Sequence, residues 1–453
     1  MKNVICSIVC TLALAWPAGV RAQASATDIE SLRRETQQLK ERVLELERRL
    51  EESQATGVAG AQPSSPATAS PPQWSPAQPV PLLSAGTNYL NMSLDVLADV
   101  GTSSEPDVEK LELGGHDPNQ RGFTLPNVEL TFDGAVDPYF KAFANIVYLL
   151  DEDGESQVEL EEAYGLTTSL PWNLQVKAGQ FFAEFGRQNP VHPHAWAFVD
   201  QSLVLARLFG EDGLRNPGVR VSWLAPTPFY TELLLAVFNG KGETASSFRN
   251  GDATFGRTPA DNPLHDLGDL LYVPRITSSF DLSDTQTVVL GASGAFGPND
   301  AGTDTDTQIY GADLYWKWRP VSAQQGFPFV SWQTEALLRR YEADADSSVD
   351  PVLPGETLKD YGFYSQLLWG YRRNWVLGLR GEYVDGDSSA FDETDPDLRA
   401  ERTRISPNLS WYPTEFSKLR LQYNYDHGDE VGNEHSVWLQ MELLLGAHGA
   451  HKF

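Results

Sequence analysis

Alternation of apolar and polar residues, sustained over segments of about 10 to 13 residues, is what most limits the folds open to this chain. Met92, Leu94, Val96 and Ala98 interleave with Asn91, Ser93, Asp95 and Asp99, and Val128, Leu130 and Phe132 interleave with Asn127, Glu129, Thr131 and Asp133. The same period returns at Leu419, Leu421, Tyr423 and Tyr425 against Lys418, Arg420, Gln422, Asn424 and Asp426. It recurs at Val437, Leu439, Met441 and Leu443 against Ser436, Trp438, Gln440 and Glu442. Successive side chains of a strand point to opposite faces, so each segment carries one greasy and one polar face. A soluble sandwich alternates too, but its strands are usually about five or six residues long, whereas a tilted strand crossing a bilayer needs about 9 to 11.

Connections separate the two cases further. Short turns such as Gly134 to Pro138, Pro226 to Pro228, Ser283 to Thr285 and Pro413 to Glu415 interleave with long polar stretches such as Gly101 to Arg121, Lys241 to Gly268, Asp344 to Asp360 and Asp385 to Glu401. Short turns on one rim and long loops on the other suit a transmembrane barrel. Trp172, Trp223, Phe229, Trp316, Trp318, Trp332, Trp369, Trp375, Trp411, Tyr412 and Phe416 lie near segment ends, where two aromatic girdles belong. The alternating segments start near Tyr89, Phe123, Tyr139, Gln157, Asn173, Leu214, Phe229, Leu270, Thr285, Thr307, Phe329, Tyr361, Trp375, Arg402, Phe416 and His435. The expected fold is therefore all-β: a transmembrane antiparallel β-barrel of about 16 strands over residues 86–453, apolar outside and wet within.

The region before the barrel reads differently. Residues 1–24, with Lys2, an apolar run from Val4 to Trp16 and Ala22-Gln23-Ala24, have the layout of a cleaved signal peptide. Both cysteines, Cys6 and Cys10, fall inside it, so the exported chain has none and needs rigidity from closed sheet hydrogen bonding. Residues 28–52 place Ile29, Leu32, Thr36, Leu39, Val43, Leu46 and Leu50 three and four apart, the seam of a short α-helical coiled coil; a lone amphipathic helix docked on the barrel is the other reading. Residues 53–85 carry no charge and seven prolines from Pro63 to Pro81 among Ala, Ser and Gln, the composition of a semi-extended linker.

The formal charge of −28 excludes a basic nucleic-acid footprint. No G-x-S-x-G, H-E-x-x-H or P-loop occurs, no cofactor motif appears, and no cysteine nucleophile survives export, so an enzyme is not expected. A barrel lipid hydrolase built from His427 or His435 with Ser436 is the remaining enzymatic option. An energised receptor would need a folded plug, which residues 28–85 are too short and proline-rich to supply.

Val176 to Gly186 (VKAGQFFAEFG), Ala236 to Gly242 (AVFNGKG), Ile309 to Trp318 (IYGADLYWKW) and Ile405 to Tyr425 (ISPNLSWYPTEFSKLRLQYNY) resemble the phosphate-selective porin family of Gram-negative outer membranes. That resemblance implies a sixteen-stranded barrel, usually a homotrimer, whose pore is narrowed by an inward loop. It implies an outer-membrane location, with lipid and lipopolysaccharide around the barrel and the coiled coil in the periplasm.

Candidate pore-lining residues are Arg207, Arg215, Arg220, Arg339, Arg340, Arg380, Arg402, Arg404 and Arg420, with Asp95 and Glu129, because charges at membrane depth belong in the lumen. The same arginines suit a second role, pairing with Asp95, Glu129, Glu159, Glu161, Glu335 and Glu382 in a structural wall network. Residues 184–212 are the candidate constriction loop. Within it His192 and His194 bring two imidazoles together, either as packing and pore-lining residues or as metal ligands completed by Asp200 or Glu184. His448 and His451 form a second sparse pair. The acidic runs Asp300 to Asp306, Asp344 to Asp346 and Asp385 to Asp397 read as solvated loops, with divalent cation binding at lipopolysaccharide as the other possibility. The expected function is a porin for small hydrophilic solutes or ions, with phosphate-type anions as the cargo that the family resemblance implies. A metal-linked uptake channel, for zinc for example, and a structural tether between envelope layers are the competing expectations.

Overall fold

The computed structural model describes residues 80–150, 154–429 and 431–446. The expected signal peptide, the expected coiled coil, most of the expected linker, His448 and His451 lie outside the described residues. A short strand β1 (Val80–Ala85) is followed by β2 (Asn88–Ser103), β3 (Gly122–Ala135), β4 (Phe140–Leu150), β5 (Ser156–Thr167) and β6 (Leu174–Phe182). Next come β7 (Arg215–Leu224), β8 (Tyr230–Phe238), β9 (Leu271–Ser283), β10 (Gln286–Pro298), β11 (Asp306–Trp318) and β12 (Phe329–Ala343). The last five are β13 (Glu356–Arg372), β14 (Trp375–Gly386), β15 (Arg402–Thr414), β16 (Ser417–Gly428) and β17 (Gly432–Leu445).

From β2 onward each strand pairs antiparallel with the next, and β17 returns to β2 in the register Leu443↔Val96. Among the described residues this is a closed barrel of sixteen strands, and no helix is long and apolar enough to cross a membrane. Closure removes both sheet edges, so the ladder satisfies its own amides without water, the condition for lying in hydrocarbon.

The alternation resolves as apolar outward and polar inward. On β16, Lys418, Arg420, Gln422, Asn424 and Asp426 are buried inside while Leu421 and Tyr423 are exposed outside. On β14, Arg380 and Glu382 point in and Leu377 and Leu379 point out. Two-residue turns such as 284–285, 373–374 and 415–416 occupy one rim, and the long loops 104–121, 239–270 and 387–401 the other. Outward aromatics sort by rim: Trp223, Trp332, Trp369 and Trp411 ring the short-turn end, while Phe123, Tyr310, Phe363 and Tyr423 serve the long-loop end. Tyr412 does not join the girdle, because strand alternation turns it inward beside Phe329 and Val376.

One boundary moves. Residues 80–85 belong to the sheet and not to the linker, since Val80↔Met92 through Ala85↔Asn88 pair across the Gly86 turn. Its φ of +67° suits glycine. Pro81 is tolerated because β1 is a short edge strand with a register shift at that point.

The outward face yields a depth-graded prediction. Leu439→Arg, near the middle of β17, should cost about 2–4 kcal/mol, whereas Leu445→Arg at the rim should cost about 0–1 kcal/mol. Denaturant unfolding of the barrel in lipid vesicles measures both.

Candidate functional site

Residues 183–214, between β6 and β7, turn into the barrel. Asn189 closes the neck: its amide donates to the carbonyl oxygens of Ala183 (2.8 Å) and Leu214 (3.0 Å), and its Oδ1 accepts from the Leu214 N–H (2.8 Å). Gly186 has φ +61°, and a Cβ there would stand 1.9 Å from Glu335 Oε2, so glycine lets the backbone lie on that carboxylate. The Arg187 and Gln188 N–H groups then donate to Glu335 Oε1 at 3.0 and 2.8 Å. A seven-residue helix, α1 (Leu203–Phe209), buries Leu203, Val204, Leu205, Leu208 and Phe209 against Phe185, Leu337 and Tyr364. Its first N–H, on Leu203, donates to Glu382 Oε1 at 3.1 Å.

A comb of inward side chains on β14, β15 and β16 holds the middle of the loop. Asp200 accepts from Arg380 (2.6 Å), Arg404 (3.2 Å), Gln422 (2.6 Å) and Asn424 (2.8 Å). Burial alone would raise its carboxyl, but Arg380 and Arg404 hold it below the ordinary carboxylate range. Arg420 donates to the carbonyl oxygens of Phe198 and Trp196, each at 2.8 Å, and Asn408 to that of Ala197 at 2.9 Å. Lys418 reaches the His194 carbonyl at 2.9 Å and also pairs with Glu442. The loop's backbone, which would otherwise be buried without partners, is satisfied by the barrel wall.

Of the candidate pore-lining arginines, eight lie inside and are engaged. Arg339 pairs with Asp360 (2.7 Å), Arg215 with Glu159 (2.6 Å), Arg207 with Glu112 (2.6 Å) and Arg404 with Asp426 (2.6 Å). Arg402 lies 3.5 Å from Glu112, and Arg220 3.5 Å from Glu184. Burial and pairing make this set a wall and loop-anchoring network and not a free cation ladder. Of the expected carboxylate partners, Glu159 and Glu382 take arginine, whereas Asp360, Asp426, Glu112 and Asp200 do so without having been named for it. Arg340 is a correction. It neighbours Arg339 on one strand, and with Arg339 inward the pleat turns Arg340 to the exposed outer face shared with Leu338.

His192 and His194 do come together, but not with Asp200 or Glu184. Asp200 is held by the arginine comb, and Glu184 pairs with Lys177 at 2.7 Å. The imidazoles instead meet the inward carboxylates of β2, β3 and β5. His192 Nδ1 lies 3.3 Å from Glu129 Oε2 and 3.2 Å from Glu161 Oε2, and its Nε2 lies 2.9 Å from Glu162 Oε2. His194 Nδ1 lies 3.0 Å from Glu129 Oε2 and 3.7 Å from Asp95 Oδ2. Burial works against charging these rings, yet Glu161 and Glu129 hold the His192 pKa well above its ordinary value and Glu129 raises that of His194. Asp95 and Glu129, expected to line a pore, are therefore parts of a buried cluster.

Half-buried inward groups remain on the opposite wall: Gln175 and Lys177 on β6, Glu184 and Arg187 at the loop entrance, Tyr315 and Lys317 on β11, and Gln333 on β12. The Arg187 guanidinium sits 4.5 Å from the Tyr315 ring centroid, and Lys317 Nζ 5.2 Å from that of Phe329. Neither cation forms an ion pair among the described residues. Alternation along Asp313, Tyr315 and Lys317 was the signal that could have found Lys317; Arg187 had none, since its place depends on the Gly186 turn.

Removing the Asp200 carboxylate would leave two buried guanidiniums facing each other. Asp200→Ala should weaken loop anchoring by about 3–5 kcal/mol. The expected result is new trypsin cleavage within residues 183–214 and a larger single-channel conductance, with the barrel still resistant to SDS.

No family model matches the chain. Among solved structures it is similar to the outer membrane channel DcaP of Acinetobacter baumannii, with TM-score 0.50 and 13% identity over 80% of this chain and 99% of that one. It is also similar to the anion-selective porin from Comamonas acidovorans, with TM-score 0.50 and 8% identity over 79% of this chain and 100% of that one. At these identities the likeness concerns the fold. In sequence, the chain is 33% identical over 364 residues to an uncharacterized protein of Aquifex aeolicus (strain VF5), covering 75% of this chain and 73% of that protein. Identity at that level over three quarters of its length places this sixteen-stranded barrel in one family with the Aquifex aeolicus protein.

Proposed function

We propose that the protein is a passive outer-membrane porin that admits small hydrophilic solutes or ions between the inward loop and the β6–β12 wall. The observation that carries this reading is the asymmetry of the lumen. The loop packs against β14–β16 with its polar groups satisfied, while the opposite wall keeps half-buried polar side chains at the loop entrance. A buried packing surface would have no use for them.

The cations on that strip favour anions. Lys177 is tied to Glu184, which leaves Arg187 and Lys317 as positive groups without carboxylate partners among the described residues. A path for anions needs lumen cations to replace lost hydration. The porin from Comamonas acidovorans, similar in fold, is described as anion-selective, which agrees with this reading. The net acidic balance of the chain does not oppose it, because charge beyond about 10 Å is screened at 0.1 M salt.

Reversal potentials of single channels across a salt gradient test the proposal. The expected sign is that of anion preference. A unit charge about 4 Å from a passing ion contributes about 1 kcal/mol in water, favourable for an anion and unfavourable for a cation, so Arg187→Ala and Lys317→Ala should each lower the anion-to-cation permeability ratio by up to about thirtyfold. Absence of conductance steps overturns the porin reading; cation preference unaltered by either substitution overturns the selectivity. Conductance steps arriving in threes are expected of a homotrimer.

A further inference from the structure

The carboxylate and histidine cluster has a geometry that neither solute passage nor loop anchoring requires. We propose that Glu129, His192 and His194, with Glu161 or Asp95 in the fourth position, bind one divalent transition-metal ion of zinc type that staples the inward loop to β2, β3 and β5.

Distances carry the first step. Zinc bonds to nitrogen and oxygen are about 2.0–2.2 Å, and at a tetrahedral angle they separate neighbouring donors by about 3.3 Å. Glu129 Oε2 stands 3.3 Å from His192 Nδ1 and 3.0 Å from His194 Nδ1, and Glu161 Oε2 stands 3.2 Å from His192 Nδ1. One donor from each of Glu129, His192 and His194 lies within 4.8 Å of the other two.

The surroundings orient those donors. His192 Nε2 faces Glu162 Oε2 at 2.9 Å, the outer carboxylate that fixes a ligating imidazole with its proton on the far nitrogen. The Asn145 amide nitrogen stands 2.6 Å from Glu161 Oε2, 3.0 Å from His192 Nδ1 and 3.3 Å from Glu129 Oε2, so it bridges the donors and gives up His192 Nδ1 when an ion takes that lone pair. With the proton on Nε2, His192 turns Nδ1 towards the oxygens of Glu129 and Glu161.

A second, independent observation points inward as well. Asp95 is 5% exposed, yet among the described residues neither of its carboxylate oxygens has a hydrogen-bond partner, and Oδ2 lies 3.7 Å from His194 Nδ1. A buried carboxylate left without hydrogen bonds is expensive unless a positive charge joins it. Two histidines with carboxylates suit zinc rather than magnesium or calcium, which take oxygen ligands.

The test uses full-length protein in detergent, stripped with a chelator and equilibrated with Zn²⁺ at a buffered micromolar free concentration. Bound metal is counted by mass spectrometry after gel filtration. About one zinc per chain is expected for the wild type. At the same free zinc, His192→Ala/His194→Ala should bind at least tenfold less, and Glu162→Gln should weaken affinity about 10–100-fold. His116→Ala should retain the ion. Resistance of the barrel to SDS verifies that each variant is folded. Should the double variant fail that check, Glu129→Gln with Co²⁺ replaces it, and loss of the visible absorption band of tetrahedral cobalt is then the expected result. Wild type without stoichiometric zinc overturns the proposal. So does a folded double variant that keeps its zinc, a Glu129→Gln protein with an unchanged cobalt band, or loss of the ion only in His116→Ala, which would move it to the neighbouring group of His116, Glu159 and Asp212. Metal content is read without any conductance measurement, so this outcome and that of the porin reading are separable.

Discussion

Hydrocarbon offers no hydrogen bonds, and every other property of this molecule follows from how the backbone meets that condition. Sixteen antiparallel ladders, closed by β17 on β2, leave no edge towards lipid. Closure makes the two faces unequal solvents. Leucine, valine and aromatic side chains take the outside, and the charged members of the same strands are driven into the lumen, where their desolvation must be met by partners.

Those partners come largely from one segment. Residues 183–214 bring backbone carbonyls, Asp200 and two histidines into the lumen, and the wall answers with Arg380, Arg404, Arg420, Lys418, Gln422 and Asn424 on one side and with Glu129, Glu161, Glu162 and Asp95 on the other. Loop and wall are thus complementary in sign: cations grip the loop where it offers oxygen, and carboxylates meet it where it offers imidazole nitrogen. The loop is fastened to both sides, and half-buried polar groups remain on the β6–β12 wall. There Arg187 rests on Tyr315 rather than on a carboxylate, and its charge stays available to the lumen.

Buried ion pairs often contribute little net stability, since desolvation offsets attraction. Their value here is positional. Asp200 accepts from four residues on three strands, and a shift of the loop by one residue would strand all four donors. That fixes the place of the loop against β14–β16 in a way an apolar contact, which tolerates sliding, would not.

The fold was legible because it rests on a local rule. Each strand's period can be read without knowing its neighbours, and the sixteen expected starts fall within a few residues of β2 to β17, while the apolar Val80–Ala85 was mistaken for linker because its pairing with β2 is not local. The inward loop was recognisable from its length and place after the fifth barrel strand. Its partners were not. Asp200 and Glu184, near the histidines in sequence, are carried to other partners, while Glu129, some sixty residues away, becomes their neighbour. Arg339 and Arg340 read alike in one dimension, and only the pleat separates them. Sequence by itself determined the barrel, its two faces and its inward segment, because alternation is a property of consecutive residues. Tertiary structure alone decided which charges are spent on one another and which still face the water, because pairing across a closed sheet depends on register and on where one loop comes to rest.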